Sequence, residues 1–454
     1  MRIAELADLK VAIWGLGREG HAAHRVLRQR LPALGLTLFC NESEAQFLAT
    51  DHPADRYVSR APSAADLSAF DVVIKSPGIS AYRPELLDAQ RNGARFTSAT
   101  ALWFAENPEA RVIAVTGTKG KSTTSALIAH LLRGRGRRTA LAGNIGLPLL
   151  ELLDNETPPE WWVIEFSSFQ TRQSGNVELG VVTNVEEEHL DWHGSRECYV
   201  SDKLALGDVA RTLLVNARQS DLMRRTAGHP HRRTFGDAQG WHVGDGWICR
   251  AGDAIFDLAH LPLPGPHNAL NACAALAALD AVGEDAAAAA AHLATFRPLP
   301  HRLQTLGVRD AITWIDDSIA TTPQASIEAL RSLSGRSVSV ILGGFERGLD
   351  WQAFAEFVQG QPPHSIIANG ASGRRIATLL GAHEIASKLF CVETLADAVA
   401  SARRETEPGG VILLSPGAPS FDQFHDYAER GCRFAELAGF DGEQVGQIEG
   451  LGIC

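Results

Sequence analysis

Between Val115 and Thr124 the chain reads Val-Thr-Gly-Thr-Lys-Gly-Lys-Ser-Thr-Thr, a set of residue types suited to holding a polyphosphate. Gly117 and Gly120 let successive backbone N–H groups converge on phosphate oxygens, with Thr118 and Lys119 between them. The helix expected next, over residues 125–132, presents unpaired amides and the positive end of its dipole to the same anion. Lys121 adds a mobile positive charge, and Ser122 or Thr123 offers a hydroxyl to a magnesium ion bridging two phosphates. An apolar run over residues 111–115 delivers the loop as a strand, which separates it from a solvated Gly-Lys turn. Counted from Gly117 the loop is shorter than the general Gly-x-x-x-x-Gly-Lys-[Ser/Thr] form. It therefore specifies a nucleotide without specifying a reaction.

Further reactive side chains follow other strands. Glu165, in Glu-Phe-Ser-Ser-Phe-Gln170, closes an apolar run, where a carboxylate can reach a magnesium ion held at the phosphate loop. The segment from Thr183 to His193 is dense in glutamates and histidines. Its His189-x-Asp191-x-His193 core has transition-metal donors, but beside a phosphate loop magnesium is the better expectation than zinc. Lys203 falls on a helix with Ser195 as its N-cap and, read alone, is a surface lysine. Arg302 follows a proline-rich hinge, Phe296-Arg-Pro-Leu-Pro-His301, from which it can swing against transferring phosphate; the competing reading is a basic linker. Asp316 and Asp317 end the first strand expected in the last segment, suited either to a ribose hydroxyl or to capping the next helix. Within an alanine-rich helical stretch over residues 268–291, split near Gly283, Asn268 and Asn271 stand out.

Parallel α/β domains are the natural support for such loops. Strands expected at residues 10–14, 36–40 and 71–75 alternate with helices near 19–30 and 85–91, the βαβ pattern of a Rossmann-like domain. Gly15-Leu16-Gly17-Arg18-Glu19-Gly20 has the spacing of a dinucleotide-binding turn, with Asn41 and Glu42 as candidate ribose partners, though a nucleotide other than NAD(P) is preferred. Ser76-Pro77-Gly78 follows the third strand, either as a second ligand loop or as a plain turn. Strands expected at 138–142, 162–166, 180–185 and 212–215, and again at 312–315, 337–342, 366–368, 389–392 and 411–414, extend the pattern. Three domains follow: a Rossmann-like one over 1–106, a central P-loop ATPase domain with a mainly parallel sheet over 107–299, and a Rossmann-like one over 300–454.

With 454 residues, 45% hydrophobic and 21% charged, the chain has the composition of a globular protein with large cores. A formal net charge of -11 argues against a nucleic-acid-binding body but leaves small anionic ligands open. The seven cysteines are dispersed without a C-x-x-C pair, so neither a disulfide framework nor a zinc site is expected, and reduced cytoplasm is the natural compartment. No apolar export signal or membrane span is legible, and a monomer is expected.

Taken in chain order, these segments resemble the Mur ligases, from Gly15 to the Arg430-Gly431 pair. The resemblance is carried by the phosphate loop, Gly143-Asn144-Ile-Gly146, Glu165-x-Ser-Ser-Phe-Gln170, Thr183-Asn184 with His189-Leu-Asp-x-His-Gly194, and Tyr199-x-x-x-Lys203. It continues through His267-Asn268-x-x-Asn271, Leu299-Pro-His-Arg302, Asp317-Ser-x-Ala-Thr321, Gly343-Gly344, and Ser415-Pro416 with Ser420-Phe-Asp-x-Phe424. It implies an ATP-dependent amide ligase of peptidoglycan precursor synthesis, acting through an acyl phosphate on UDP-N-acetylmuramoyl-L-alanine and glutamate. On this basis Gly15, Leu16, Gly17, Arg18, Asn41, Ser76, Pro77, Gly78 and Asn144 hold the UDP-sugar. ATP would sit on Gly117, Thr118, Lys119, Gly120, Lys121, Ser122 and Thr123, with Asn268, Asn271, Arg302 and Asp317. Thr321, Arg347, Ser420 and Tyr427 would line the amino-acid pocket. Two magnesium ions are implied near Ser122, Glu165, His189 and a carbamylated Lys203, and Lys121, Glu165, His189, Lys203 and Arg302 form the implied catalytic set.

The chain departs from the family pattern at Lys119, Glu188 and Gln304, and more heavily around the amino-acid pocket at Ile319, Arg347, Pro419 and Tyr427. Lysine-to-arginine replacement changes reach and fork geometry at a carboxylate. This pattern favours L-glutamate, with inversion left to a downstream epimerase; D-glutamate is the alternative. Readings in other classes are a UDP-sugar-binding protein without turnover and a nicotinamide oxidoreductase built on Gly15 to Gly20.

Overall fold

The computed structural model describes residues 1–42, 44–45, 52, 55–186, 190–263, 265–383 and 385–454. They fall into two compact units, Met1–Phe296 with Gly450–Cys454, and Arg297–Glu449.

The first unit opens with β1 (Val11–Trp14), β2 (Leu36–Phe39), β3 (Arg56–Val58), β4 (Val72–Lys75) and β5 (Arg95–Thr97). All pairings are parallel, in the order β3-β2-β1-β4-β5. Helices cover both faces of such a sheet, which is why β1 and β4 read as unbroken apolar runs up to their last residues. The strand order reverses between β1 and β4, so the loops leaving their carboxyl ends flank the crevice where open α/β sheets take ligands. The loop after β1 runs into α1 (Arg18–Arg30).

A second sheet follows, from β6 (Val112–Thr116), β7 (Thr139–Gly143), β8 (Trp161–Glu165), β9 (Val177–Val182), β10 (Ala210–Asn216) and β11 (Arg232–Phe235). Its order is β11-β10-β9-β6-β8-β7, with one further short strand from the end of the chain outside β7, which places the wholly buried β6 between β9 and β8. Beside it lie α2 (Lys121–Gly134), α3 (Arg196–Leu204) and α4 (Pro266–Ala281). A small antiparallel sheet of β12 (Trp241–Gly244), β13 (Trp247–Arg250) and β14 (Asp253–Asp257) completes this region.

The second unit holds β15 (Gln304–Arg309), β16 (Ile312–Asp316), β17 (Val338–Gly343), β18 (Ser365–Asn369), β19 (Lys388–Cys391) and β20 (Val411–Leu414), in the order β15-β16-β20-β17-β18-β19. All pairings are parallel except β15 with β16. Separate apolar clusters pack around Val340 and Phe354, and around Ile412 and Phe434. α5 (Tyr427–Leu437) closes this unit's ligand-side loops. The last strand, β21 (Gly452–Ile453), belongs to the first unit and pairs antiparallel with β7.

The α/β class and its mainly parallel sheets match the sequence reading, with several corrections. Asp316 ends the second strand of the last sheet, because β15, a half-exposed edge strand bulged near Gly307, precedes it. The strand expected at 180–185 sits at Val177–Val182, since Thr183 and Asn184 leave the sheet to bond the phosphate loop. The alanine-rich stretch begins at Pro266 and breaks at Gly283, where φ is 82°. Among the described residues no helix is long and apolar enough to cross a membrane.

Candidate active site

β6 delivers Gly117 to Gly120 at the centre of the second sheet. Both glycines have left-handed φ, 149° and 79°, and neither position has room for a side chain. A Cβ at 117 would lie 1.9 Å from Thr183 Oγ1, and one at 120 would lie 2.5 Å from Asn271 Oδ1. Among the described residues no side chain caps α2 at Gly120, so its first-turn N–H groups keep their capacity for an anion. Lys121 Nζ folds back to donate to the Thr118 carbonyl at 2.9 Å, and Ser122 is buried in the first turn.

The loop is pinned from one side by the segment after β9. Thr118 N donates to the Asn184 carbonyl, Lys119 N to Asn184 Oδ1 at 2.8 Å, and Thr183 Oγ1 to the Lys119 carbonyl at 2.7 Å. Thr118 Oγ1 accepts from Glu186 N and lies 2.7 Å from the Tyr199 hydroxyl. Thr118 and Lys119 are thus occupied in shaping the loop, and the Lys119 side chain pairs at the surface with Glu186.

Glu165 ends β8 in register with Val115 and is 1% exposed. Its Oε1 accepts from Asn144 Nδ2 at 2.8 Å, while its buried Oε2 has no hydrogen-bond partner among the described residues. Lys203 is not a surface lysine: it is 2% exposed, because α3, capped by Ser195, turns this face inward. Its Nζ donates to the Gly117 carbonyl at 2.8 Å and stands 4.8 Å from the centre of the Tyr199 ring. Asn271 and Asn268 share one face of α4 and a hydrogen bond, with Asn271 against Gly120. The phosphate loop, Asn144, Glu165, Lys203 and Asn271 therefore come together. His189 lies outside the described residues.

At the crevice of the first sheet the two glycine-bearing loops lock together. Gly15 has φ 89°, a Cβ on Gly20 would sit 2.0 Å from the Gly15 carbonyl oxygen, and Ser76 Oγ donates to that same oxygen at 2.7 Å. Leu16 is buried beneath, and Gly17 and Arg18 open α1. Asn41 Oδ1 accepts from Glu44 N, closing a turn after β2. Pro77 and Gly78 extend the second loop, and the Pro77 carbonyl accepts from Trp192 Nε1.

The sequence reading passed over Lys75, although a lysine ending Val-Val-Ile is a visible anomaly. It is buried, donates to the Ser76 and Ile79 carbonyls at 3.1 and 2.6 Å, and is pushed down to about 8 by burial.

In the second unit, considered alone, the turn carrying Arg302 is set by strain on both sides, with φ 60° at His301 and 47° at Leu303. His301 Nδ1 lies 2.7 Å from Asp316 Oδ2. Asp317 accepts from Leu303 N at 3.1 Å and from Ser415 Oγ at 2.8 Å, and burial pushes its carboxyl up to about 7. Arg302 is exposed and exerts a charge effect on Asp317. The loops bearing Thr321, Arg347 and Ser420 leave the adjacent strands β16, β17 and β20. Gly344 abuts the Pro419 carbonyl, and Phe345 N donates to it at 2.8 Å. Ser420 is buried, Thr321 and Tyr427 are half-buried, and Arg347 is exposed.

Arg430, noted in the sequence only as half of an Arg-Gly pair, is the buried tie of this region. It donates to Ser318 Oγ, the Ser318 carbonyl and the Ala418 carbonyl at 2.8–3.0 Å, and burial lowers it to about 10.

Residues 115–279 match the model for the Mur ligase middle domain, and residues 301–417 that for the Mur ligase glutamate ligase domain. The chain is 50% identical to the UDP-N-acetylmuramoyl-L-alanine--L-glutamate ligase of Xanthomonas campestris pv. campestris strain 8004, over 100% of both chains. In fold it resembles the UDP-N-acetylmuramate-alanine ligase MurC of Thermotoga maritima, with a TM-score of 0.61, 20% identity, and coverage of 95% of this chain and 99% of that one. It also resembles the MurF ligase of Thermotoga maritima in complex with ADP, with a TM-score of 0.56, 17% identity, and coverage of 84% and 99%.

Proposed function

The chain belongs to the Mur ligase family of ATP-dependent ligases, and on that premise we propose that it joins L-glutamate to UDP-N-acetylmuramoyl-L-alanine in peptidoglycan precursor synthesis. The observation that carries the reading is one grouping: a glycine-forced phosphate loop, a buried Glu165 with an oxygen that has no partner among the described residues, and a buried Lys203 bonded to Gly117. The choice of L- over D-glutamate rests on 50% identity, over the full length, to a protein named for L-glutamate, together with the altered pocket positions Ile319, Arg347, Pro419 and Tyr427. Inversion would then fall to a separate epimerase.

A carboxylate is a poor electrophile, so it must be activated. In the proposed reaction the γ-phosphoryl group of ATP passes to an oxygen of the alanyl carboxylate, releasing ADP. The glutamate amine attacks the acyl carbon, its nitrogen loses a proton, and inorganic phosphate departs. On this reading Lys121 and the N–H groups opening α2 stabilise charge on the moving phosphoryl group. On the same reading Asn268, Asn271, Arg302 and Asp317 hold ATP, and Thr321, Arg347, Ser420 and Tyr427 orient the amino acid. Gly15, Leu16, Gly17, Arg18, Asn41, Ser76, Pro77, Gly78 and Asn144 hold the UDP-sugar.

The donor set fits magnesium, a hard cation: Glu165 offers a buried oxygen without a hydrogen-bond partner among the described residues, and Ser122 a hydroxyl. When bound, magnesium would supply neutralisation of phosphate charge. Carbamylation of Lys203 would convert its ammonium into a further oxygen donor, and His189 completes the set that the family resemblance implies.

Phosphate release is expected only when ATP, magnesium, UDP-N-acetylmuramoyl-L-alanine and L-glutamate are present together. A D-glutamate kcat/KM equal to or above that for L-glutamate would overturn the enantiomer, and silence with both would overturn the ligase reading. Lys203→Ala should lose turnover and regain part of it with acetate; a fully active variant would discard the carbamate.

A further inference from the structure

A buried polar cluster beside Lys203 has no place in the reaction just described. At its centre is Asp202, 2% exposed. The Tyr82 hydroxyl stands 2.8 Å from each of its carboxylate oxygens, His193 Nδ1 stands 2.7 Å from one, and Arg172 Nε donates to the other. With Nδ1 protonated, His193 donates to Asp202, and its Nε2 accepts from the Ser168 hydroxyl at 3.0 Å. Ser168, His193 and Asp202 thus have the order of a hydrolase triad. Ser168 is buried, however, and Asp202 is shared with two other donors, so the arrangement is a fastening and not a nucleophile.

What it fastens is specific. Tyr82 closes the loop that begins with Ser76-Pro77-Gly78 after β4. The same loop is bonded twice more to the segment leading into α3, from Trp192 Nε1 to the Pro77 carbonyl at 3.1 Å and from Ser80 Oγ to the Trp192 carbonyl at 2.6 Å. Ser168 and Arg172 belong to the loop that follows Glu165. Thr171 Oγ1 of that loop donates to the Asp202 carbonyl at 2.6 Å, and Phe169 stacks on Trp192 at 4.6 Å. The residue after Asp202 is Lys203, whose Nζ is bonded to Gly117 of the phosphate loop. One buried carboxylate therefore joins the first-sheet loop, the Glu165 loop and the Lys203 helix. Burying an ionised carboxylate is costly unless every donor around it is in place, so such a junction holds one arrangement and resists partial ones.

We propose that Asp202 is a positioning residue through which occupancy of the Ser76–Tyr82 loop by the UDP-sugar sets Lys203 against the phosphate loop, coupling the two substrate sites. The proposal rests on the ligase reading. Its test is calorimetry with a β,γ-methylene ATP analogue and magnesium, with and without saturating UDP-N-acetylmuramoyl-L-alanine, on wild type, Tyr82→Phe and Asp202→Asn.

In the wild type the UDP-sugar should tighten the analogue on the order of tenfold, within the usual range of site–site coupling. Tyr82→Phe removes one hydroxyl from a half-exposed ring, so its melting temperature and its affinity for the analogue alone should match the wild type. Its coupling factor should fall toward one, a change that a purely structural hydrogen bond would not produce. Asp202→Asn should lose the factor as well, and Tyr82→Phe decides the matter if that variant fails to fold. A wild type without coupling, or a Tyr82→Phe variant that keeps the full factor, overturns the proposal alone. A wild type that binds no UDP-sugar overturns the ligase reading and the proposal together.

Discussion

Around the phosphate loop the chain is held by close backbone approach and several short polar contacts: Gly117 and Gly120 take left-handed conformations, the Thr118 amide donates to the Asn184 carbonyl, and the Lys119 amide donates to Asn184 Oδ1. Around Ser420 in the second unit the backbone bond from Phe345 N to the Pro419 carbonyl is joined by one long buried side chain, as Arg430 reaches carbonyls on two separate turns. The first arrangement keeps its cation, Lys121, at the loop itself, whereas the second uses its buried cation as scaffold and leaves Arg347 exposed. Both sites hold glycines that leave no room for a Cβ, Gly117 and Gly120 in the first and Gly343 and Gly344 in the second, but the first should survive loss of its charge as a folded object and the second should not. Each half of that contrast can be broken by mutation.

The largest effect is expected at Lys121. Lys121→Met removes charge from the phosphoryl group while leaving Gly117, Gly120 and the Asn184 contacts intact, so kcat should fall on the order of 10²–10³-fold with little change in melting temperature. A loss below about tenfold in ADP release would show that the backbone alone stabilises the transferred group.

Arg430→Met should act in the opposite sense. It strands the Ser318 and Ala418 carbonyls in a buried region, a cost on the order of 3 kcal/mol in chemical denaturation of the second unit. The KM for glutamate should rise while affinity for an ATP analogue under conditions that keep the protein folded stays near the wild-type value. Unchanged stability would mean that packing between these loops, and not the guanidinium, holds them.

The same contrast explains what was legible beforehand. Glycine spacing, a preceding apolar strand and a following helix are local features, so the phosphate loop, the parallel sheets and the carboxylate at Glu165 could be read from consecutive residues. Lys203 could not, because its burial depends on Tyr199 and on Gly117, 86 positions away in the chain. The buried roles of Asp202 and Arg430 were hidden for the same reason, since a charged residue on a helix looks solvated until its distant partners are known, and Tyr82, in a turn, meets Asp202 120 positions away. β15 was hidden by half-exposure and a bulge, and the short β21 by distance, since it pairs with a strand from the first half of the chain.

The smallest effect tests the contrast at two buried carboxyls, one in each unit. Glu19, at the start of α1, is pushed up to about 7 by burial, with Glu151 adding to the rise, and Asp317 is likewise raised to about 7 by burial. Both lie above the ordinary carboxylate value of about 4, so between about pH 4 and pH 7 the folded protein binds more protons than the unfolded chain, and stability falls as pH rises through that window. Glu19→Gln and Asp317→Asn should each flatten that part of the melting curve against pH. They should differ above pH 7. Glu19 Oε2 has no partner among the described residues, so an amide N–H there meets no donor, and Glu19→Gln should melt higher than the wild type at pH 8. Asp317 already accepts from Leu303 N and Ser415 Oγ, so Asp317→Asn keeps the first bond through Oδ1 but must reverse the second, with the Ser415 hydroxyl turned to accept, and should gain less, or lose. Equal gains in both variants would mean that desolvation alone governs these carboxyls and that the donors around Asp317 do little to hold its turn.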